Sequence, residues 1–234
     1  MIPLYDTIPS RRKPYVVYGL ITINVVVFIY QVMLSRVELI EFLYNFGLVP
    51  ARFTSTRWAT VWQLRTGLSL YSNKWLTFLS HMFLHGGWSH LIGNMWFLGL
   101  FGDNVEDELG HVRFLIFYLS GGVLASLVHF SLNLGSQVPM VGASGAISAV
   151  MGAYFVLFPY SRIVSLVPLY FFMPFLVAIP AFTYLFVWFI FQVLSGLLDS
   201  PTGSGVAYWA HIGGFVVGMI YGYVRRLRRR RYYW

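Results

Sequence analysis

Charged side chains leave five long gaps in this chain, and those gaps limit what it can fold into. No Asp, Glu, Lys or Arg occurs in residues 14–35, 75–102, 114–161, 163–198 or 200–224. A stretch of about 18 or more apolar residues is typical of a membrane-spanning helix. Only 10% of the 234 residues are charged, against roughly 25% in soluble domains. The sequence therefore predicts an integral membrane protein.

The gaps predict an all-α polytopic fold, because the 114–161 gap is long enough for two helices. The six predicted spans, which make up the core 14–224, cover about 14–34, 88–106, 113–132, 143–160, 175–195 and 206–224. The first is predicted to be an uncleaved span, since no small-residue cleavage site follows it. Before it, residues 1–13 form a polar and loose segment. Residues 163–174 are predicted to be a loop, because two prolines interrupt them.

The long connection 35–87 is predicted to lie partly in the membrane interface. Aromatic and aliphatic residues alternate there with arginines, as is typical of interfacial segments. The residues that carry this pattern are Arg57, Trp58, Trp62, Leu64, Arg65 and Leu68.

Basic residues set the predicted orientation. Six spans put both termini on one side, and with that side cytoplasmic eleven Lys and Arg lie inside and five outside. Such a bias is typical of cytoplasmic segments. Six of the 16 basic residues lie in 225–234, so the net charge of +8 falls to +2 without that tail. The charge therefore indicates a cytoplasmic tail near anionic lipid, and it does not favour nucleic-acid binding.

Four polar residues of three predicted spans fall at one depth. His90 and Asn94 begin the second span, Ser144 begins the fourth, and His211 lies early in the sixth. These spans all run from outside to inside, and a helix rises about 1.5 Å per residue. The four side chains are therefore predicted to meet just below the outer surface.

Ser144 and His211 are the candidate nucleophile and base. A serine hydroxyl needs a base to take its proton, and small residues around Ser144 and after His211 would let the two helices pack closely. On its own, the small-residue stretch around Ser144 indicates a packing face, and a lone histidine indicates a hydrogen bond between helices. No acid lies in the outer half of a span, although Asp199 could approach from a loop. We therefore predict a Ser–His dyad.

His90 and Asn94 stand four residues apart, on one face of a helix. Both can donate hydrogen bonds to a developing oxyanion, together with the Ser144 backbone N–H at the positive end of its helix. The alternative is an Asn–His pair that joins helices. His81 and His85 are also four apart, but Met82 stands where a zinc protease has Glu, so structural roles are favoured and no metal or cofactor is predicted.

In combination these motifs resemble the rhomboid family of intramembrane serine proteases. The resemblance runs from about residue 75 to 224 and rests on three motifs in order. They are His81-X3-His85-X4-His90-X3-Asn94, Gly142-Ala143-Ser144-Gly145 with Gly152, and Ala210-His211-Ile212-Gly213-Gly214. The segment 101–107 fits the family's end of the second span.

The resemblance implies a six-helix core with Ser144 as nucleophile and His211 as general base. It implies an oxyanion site formed by His90, Asn94 and the Ser144 backbone N–H. Gly142 is a further candidate residue of that site. The substrates would be single-span membrane proteins, cut near the outer face and preferably after small residues. The fifth span and the loop 196–206 would form a lateral gate and cap.

Two departures from the family pattern concern how the site is held. Some members carry Tyr four residues after the nucleophile, stacked on the base, and here that residue is Ser148. Trp209 or Tyr154 is the candidate to hold His211 in its place. A family Trp-Arg pair is also absent, and Leu76-Thr77 stand there, which leaves the anchoring of 35–87 open.

Two alternative functions are a non-catalytic binding protein and a transporter or channel. A catalytically silent relative would bind membrane segments without cutting them, but such relatives typically lose the serine or the histidine. A transporter or channel would place its polar groups near the bilayer midplane, whereas these cluster near the outer face. The expected location is a prokaryotic plasma membrane with both termini in the cytoplasm, and the sequence leaves the substrate and oligomeric state open.

Overall fold

The computed structural model describes residues 1–169, 172–198 and 205–231. In chain order the elements are β1 (Ile2–Asp6), α1 (Tyr15–Met33), α2 (Arg36–Phe46), α3 (Ala51–Thr54), α4 (Trp58–Thr66), α5 (Thr77–Ser80), α6 (Trp88–Leu109), α7 (His111–Leu132), α8 (Ser144–Leu157), β2 (Arg162–Leu169), β3 (Phe172–Pro180), α9 (Ala181–Leu198) and α10 (Tyr208–Arg231). Short 3-10 turns at Lys74–Leu76 and His81–Phe83 flank α5. The predominantly helical fold predicted from the sequence is confirmed.

The six predicted spans each correspond to a long helix. Three of them, α1, α7 and α9, are long and apolar enough to cross a membrane by length and composition. Helix α8 is apolar but has only 14 residues, while α6 carries several acids and α10 ends in arginines. The chain is a membrane protein, and the count of six spans stays a prediction.

Helix α8 is the centre of the molecule. Every residue from Gly145 to Tyr154 is buried, and α6, α7 and α10 pack around it. The closest approach is to α10, where a Cβ added to Gly218 would lie 1.9 Å from the Ala149 carbonyl oxygen and one added to Gly152 would lie 2.0 Å from the Phe215 carbonyl oxygen. No side chain fits in such contacts, so the predicted small-residue packing of these two helices is confirmed.

A buried carboxylate ties α1 to the end of α6. Glu106 is 1% exposed and accepts the N–H groups of Val16 and Val17 at 3.0 and 2.8 Å. His111 Nδ1 bonds the same carboxylate. The first N–H groups of a helix have no partner within it, so Glu106 satisfies the start of α1 and fixes it on α6.

A three-stranded antiparallel sheet corrects two predictions. Strand β2 pairs with β1 on one side and β3 on the other. The segment 1–13, predicted to be loose, thus contains β1, and the described residues of 163–174, predicted to be a loop, belong to β2 and β3. The fifth helix begins at Ala181 and not near 175, because β3 continues to Pro180.

The physical reason lies in the prolines, which keep this apolar run from forming a helix. Its backbone N–H and C=O groups must still be hydrogen-bonded, and pairing with neighbouring strands does this. Polar contacts then hold β1 in place. Tyr154 donates its hydroxyl to Asp6, and Asn104 Nδ2 donates to the same carboxylate at 3.0 Å. Burial raises the pKa of Asp6 above its ordinary value, although these hydrogen bonds oppose the shift.

Hydrogen bonds within the connection 35–87 hold it together, and a backbone bridge joins it to the loop before α8. Asn45 Oδ1 accepts the N–H groups of Tyr71 and Ser72 at 2.8 and 3.0 Å, and Arg52 Nη1 donates to Ser72 Oγ at 3.2 Å. Leu48 pairs with Met140 as an isolated antiparallel bridge. The Asn45 network therefore folds this segment on itself, and the Leu48–Met140 bridge joins it to the loop before α8, although the family's Trp-Arg pair is absent.

Candidate active site

Ser144 and His211 lie in hydrogen-bonding contact, 67 residues apart in sequence. The distance from His211 Nε2 to Ser144 Oγ is 2.7 Å. Ser144 is the first residue of α8, and His211 lies in the first turn of α10. Both side chains are half-buried. The structure thus brings together the two residues that the sequence predicts as nucleophile and base.

Close packing of α8 on α10 produces this contact. A Cβ added to Gly214, one turn after His211, would lie 2.2 Å from the Gly145 carbonyl oxygen. The glycine next to Ser144 therefore touches the helix that carries the base. Because two backbones in contact cannot slide without clashes, the separation of Ser144 and His211 is fixed by the helices themselves.

His90 and Asn94 face the start of α8 from α6. The proximity is seen at Gly142, where an added Cβ would lie 2.7 Å from His90 Nε2 and 3.6 Å from Asn94 Nδ2. His90 Nδ1 accepts the Gly86 N–H at 3.4 Å, so the neutral ring carries its proton on Nε2. A hydrogen-bond donor therefore points towards Gly142, two residues before Ser144.

Asn94 supplies a second donor. Its side chain is buried, and Nδ2 has no hydrogen-bond partner among the described residues. A buried amide without a hydrogen-bond partner destabilises the folded protein. Such an unpaired donor is typical of a side chain that binds a ligand or a reacting atom. The Ser144 N–H, at the first position of α8, has no carbonyl within its helix to bond.

Gly142 contributes space and backbone shape. Its N–H donates to the His81 carbonyl oxygen at 2.9 Å, so this amide is already used. Its φ of +122° is a conformation that side chains rarely adopt. Gly142 therefore bears on the site by leaving room for His90, while its amide holds the loop before α8.

A cavity of about 530 Å³ opens onto these residues. Its polar wall contains Ser144, His211, His90 and Asn94, and its apolar wall includes Trp188. A volume of this size lies within the usual range for binding sites. One side of the cavity is made by α6, and Trp188 of α9 forms part of another.

His211 is held by a residue that sequence reasoning missed. Gln192 Oε1, on α9, lies 2.8 Å from His211 Nδ1, and the Trp188 ring lies 6.2 Å from the imidazole ring at 31°. The sequence signal that could have identified Gln192 is an amide within a largely apolar span, because amide side chains in membrane helices commonly form hydrogen bonds to a neighbouring helix.

The candidates named from the sequence lie elsewhere. The Tyr154 hydroxyl donates to Asp6 and lies 2.9 Å from Ser161 Oγ at the far end of α8, and Trp209 packs beside Gly196. Ser148 Oγ donates to the Ser144 carbonyl oxygen at 2.7 Å within α8. Asp199 lies outside the described residues, as does most of the loop 196–206.

His81 and His85 support the site from behind. The backbone N–H of His85 donates to Gln31 Oε1, and its carbonyl accepts from Gln31 Nε2, each at 3.0 Å. The His85 ring meets the His90 ring edge-on at 5.2 Å. Burial lowers the pKa of both His81 and His85 to about 3, so both stay neutral near pH 7. Within the described residues, no group of three His, Cys, Asp or Glu could hold a metal ion.

Comparison with known protein families gives a match over most of the chain. The family model described as the Rhomboid domain matches residues 72–228, which includes all the candidate site residues. The match begins within the connection 35–87 and ends in the basic tail.

Curated relatives include proteins of chloroplasts and mitochondria. The chain is 43% identical over 82 residues to "Rhomboid-like protein 11, chloroplastic" of Arabidopsis thaliana, covering 34% of this chain and 29% of that protein. It is 27% identical over 147 residues to "Presenilin-associated rhomboid-like protein, mitochondrial" of Homo sapiens, covering 59% and 35%. It is 28% identical over 177 residues to "Rhomboid protein 1, mitochondrial" of Saccharomyces cerevisiae, covering 69% and 46%. The alignments thus span less than half the length of each relative.

Proposed function

We propose that this chain, which belongs to the rhomboid family, is an intramembrane serine endopeptidase that cuts single-span membrane proteins. The observation that carries the proposal is the 2.7 Å contact between Ser144 Oγ and His211 Nε2. It is supported by the donors on His90 and Asn94, which line the same cavity as Ser144 and His211. A serine paired with an imidazole beside unpaired donors is an arrangement suited to acyl transfer.

In the proposed reaction, His211 Nε2 takes the proton of Ser144 as Oγ attacks the carbonyl carbon of the scissile peptide bond. The negative charge that develops on the carbonyl oxygen is stabilised by the Ser144 N–H, His90 Nε2–H and Asn94 Nδ2–H. His211 then gives its proton to the leaving amine, and the C–N bond breaks. Water, deprotonated by the same nitrogen, hydrolyses the acyl-enzyme and restores Ser144.

The depth of the site supports a membrane substrate. Ser144 and His211 lie at the starts of α8 and α10, and His90 lies in the first turn of α6. With the predicted orientation, all three helix starts face outwards, so cleavage would occur near the outer face. The cavity between α6 and α9 would admit a segment from the lipid side. The preference for small residues before the cut stays an expectation from the family resemblance.

The location in a cell is part of the proposal. The predicted plasma-membrane location differs from the organelles named for the curated relatives, and it stays a prediction together with the cytoplasmic termini. The basic end of α10 supports a cytoplasmic tail, because Lys and Arg accumulate on that side of membranes.

The test compares purified wild type with Ser144→Ala and His211→Ala in detergent. Each is treated with a fluorophosphonate probe and with a generic single-span substrate. Ser148→Ala is the matched control, since it removes a hydroxyl one turn further along the same helix. We expect labelling and cleavage in wild type and Ser148→Ala only.

Two results would overturn the proposal. Cleavage by Ser144→Ala at the wild-type rate would exclude Ser144 as nucleophile. A folded, monodisperse wild type that neither labels nor cleaves would favour a protein that binds membrane segments without cutting them.

A further inference from the structure

The imidazole of His211 is held on both sides. Nε2 faces Ser144 Oγ at 2.7 Å, and Nδ1 faces Gln192 Oε1 at 2.8 Å. The first partner comes from α8 and the second from α9, so the ring of an α10 residue is fixed between two other helices. A ring with partners at both nitrogens has one orientation that satisfies both, and rotation about its bonds would break both contacts.

We propose that Gln192 is a positioning residue for the general base, which keeps the proton of neutral His211 on Nδ1 and so leaves the Nε2 lone pair facing Ser144. A carbonyl oxygen has no proton to give, so its partner nitrogen must be the donor. The opposite tautomer would place a proton between Nε2 and Ser144 Oγ, and the ring could not act as a base. In a Ser-His-Asp triad the carboxylate holds the tautomer in this way, and here a neutral amide would do so.

Helix α9 is built to present Gln192 to α10. Trp188, Gln192 and Gly196 are spaced by four residues, so they lie along one face. The Trp188 ring lies beside His211, and a Cβ added to Gly196 would lie 3.3 Å from Tyr208 Cβ and 3.5 Å from Ile212 Cδ1. The absence of a side chain at Gly196 therefore lets this end of α9 approach α10 closely enough for the amide to reach Nδ1.

An amide also suits the membrane setting. A carboxylate at this position would place a charge inside the bilayer, which is costly. The amide fixes the ring orientation without that charge. The titratable groups that interact electrostatically with His211 are His90 on α6 and His129 on α7, and Asp199 lies outside the described residues.

The experiment uses the full chain with Gln192→Met, Gln192→Glu and, as a matched control on the same helix, Ser195→Ala. Methionine keeps the length but cannot accept as a carbonyl does, whereas glutamate keeps an acceptor oxygen. We expect Gln192→Met to lower kcat about 10-fold with KM little changed, which is the scale of one hydrogen bond. Gln192→Glu should recover most of kcat, and its pH–rate midpoint should move upwards, because the carboxylate favours the imidazolium form. Ser195→Ala should match wild type.

A second readout does not depend on activity. Histidine labelled with ¹⁵N reports which ring nitrogen carries the proton, and the His211 signals are assigned by their loss in His211→Ala. We expect the Nδ1–H tautomer in wild type and a mixture in folded Gln192→Met. An Nε2–H tautomer in wild type, or an unchanged tautomer and kcat in Gln192→Met, would overturn the inference.

The inference rests on the proposed function only for its kinetic part. If wild type proves inactive, the proposed function fails while the tautomer measurement still decides the role of Gln192. If Gln192→Met does not fold, the wild-type tautomer and the pH profile of Gln192→Glu decide it.

Discussion

Replacing Gly218 with alanine should separate the two helices that carry Ser144 and His211. The added Cβ would lie 1.9 Å from the Ala149 carbonyl oxygen, whereas real Cβ contacts essentially never fall below 3.0 Å. Bringing the first distance to the second requires about 1.1 Å of movement between α8 and α10 at this crossing. The obstacle is backbone, so no side-chain rotation can relieve it. Overpacking of this kind costs about 1–3 kcal/mol.

The displacement reaches the active site because Ser144 and His211 lie on these helices. Adding even 0.8 Å to the 2.7 Å contact would bring it to about 3.5 Å, the outer limit for a hydrogen bond. A misplacement of about 1 Å can lower a rate on the order of 100-fold. We therefore expect Gly218→Ala to lose about that factor in kcat while the folded fraction stays substantial.

The assay measures cleavage and thermal unfolding of Gly218→Ala beside Gly222→Ala and Gly19→Ala. At Gly222 the added Cβ would lie 3.1 Å from the Ala153 carbonyl oxygen, and at Gly19 nothing lies within 4 Å. The loss should therefore be large at Gly218, small at Gly222 and absent at Gly19. Equal kcat for Gly218→Ala and Gly19→Ala would refute the idea that backbone contact between α8 and α10 sets the dyad distance.

Three other substitutions test the two ends of the molecule. Asn94→Leu should lower kcat about 100-fold or more, because it removes a proposed oxyanion donor. It should not lower the unfolding temperature, because the buried amide nitrogen has no partner among the described residues. A less stable protein with normal kcat would instead assign Asn94 a structural role. Glu106→Gln should lower the free energy of unfolding by about 2–3 kcal/mol, since the carboxylate that accepts two backbone N–H groups is lost. Hydrogen exchange should then be faster at the start of α1. Unchanged exchange there would contradict this prediction. The raised pKa of Asp6 means that docking of β1 is strongest while this carboxyl is protonated and weakens as the pH rises through that pKa. Exchange of the β1 amides should accordingly rise from pH 4 to pH 7 relative to Asp6→Asn, and parallel profiles of the two proteins would contradict this.

The long helices and the meeting of the four site residues were open to prediction because they depend on local patterns. An uncharged stretch marks most of each of the six long helices, and the bias of basic residues predicts which end of each helix faces the cytoplasm. Those two facts put His90, Asn94, Ser144 and His211 at one depth before any contact is known. Glycines at intervals of four in α10 indicate which face meets α8.

The sheet and the partner of His211 were not open to prediction in the same way. The prediction that 1–13 is loose was wrong at β1, and the prediction that 163–174 is a loop was wrong for its described residues. Strands β1 and β2 are about 160 residues apart, and neither sequence shows which strand it pairs with. Strand pairing of that range depends on the fold around it. Gln192 was missed for a related reason, since only the packing of α9 on α10 decides which of its faces meets the base.

The distribution of burial indicates where the molecule can move. Helix α8 is buried from Gly145 to Tyr154, so Ser144 is attached to the part that has least freedom. In the described part of α9 the buried residues are Ala181, Leu185 and Gly196, so this helix makes few of the contacts that would resist displacement. In the proposed function, a substrate segment that enters between α6 and α9 would therefore displace α9, which also carries Gln192. Moving α9 away would break the contact between Gln192 and His211, so the site could not be open and have His211 fully oriented at the same time. We therefore expect His211 to be fully aligned only after α9 has closed on the bound segment.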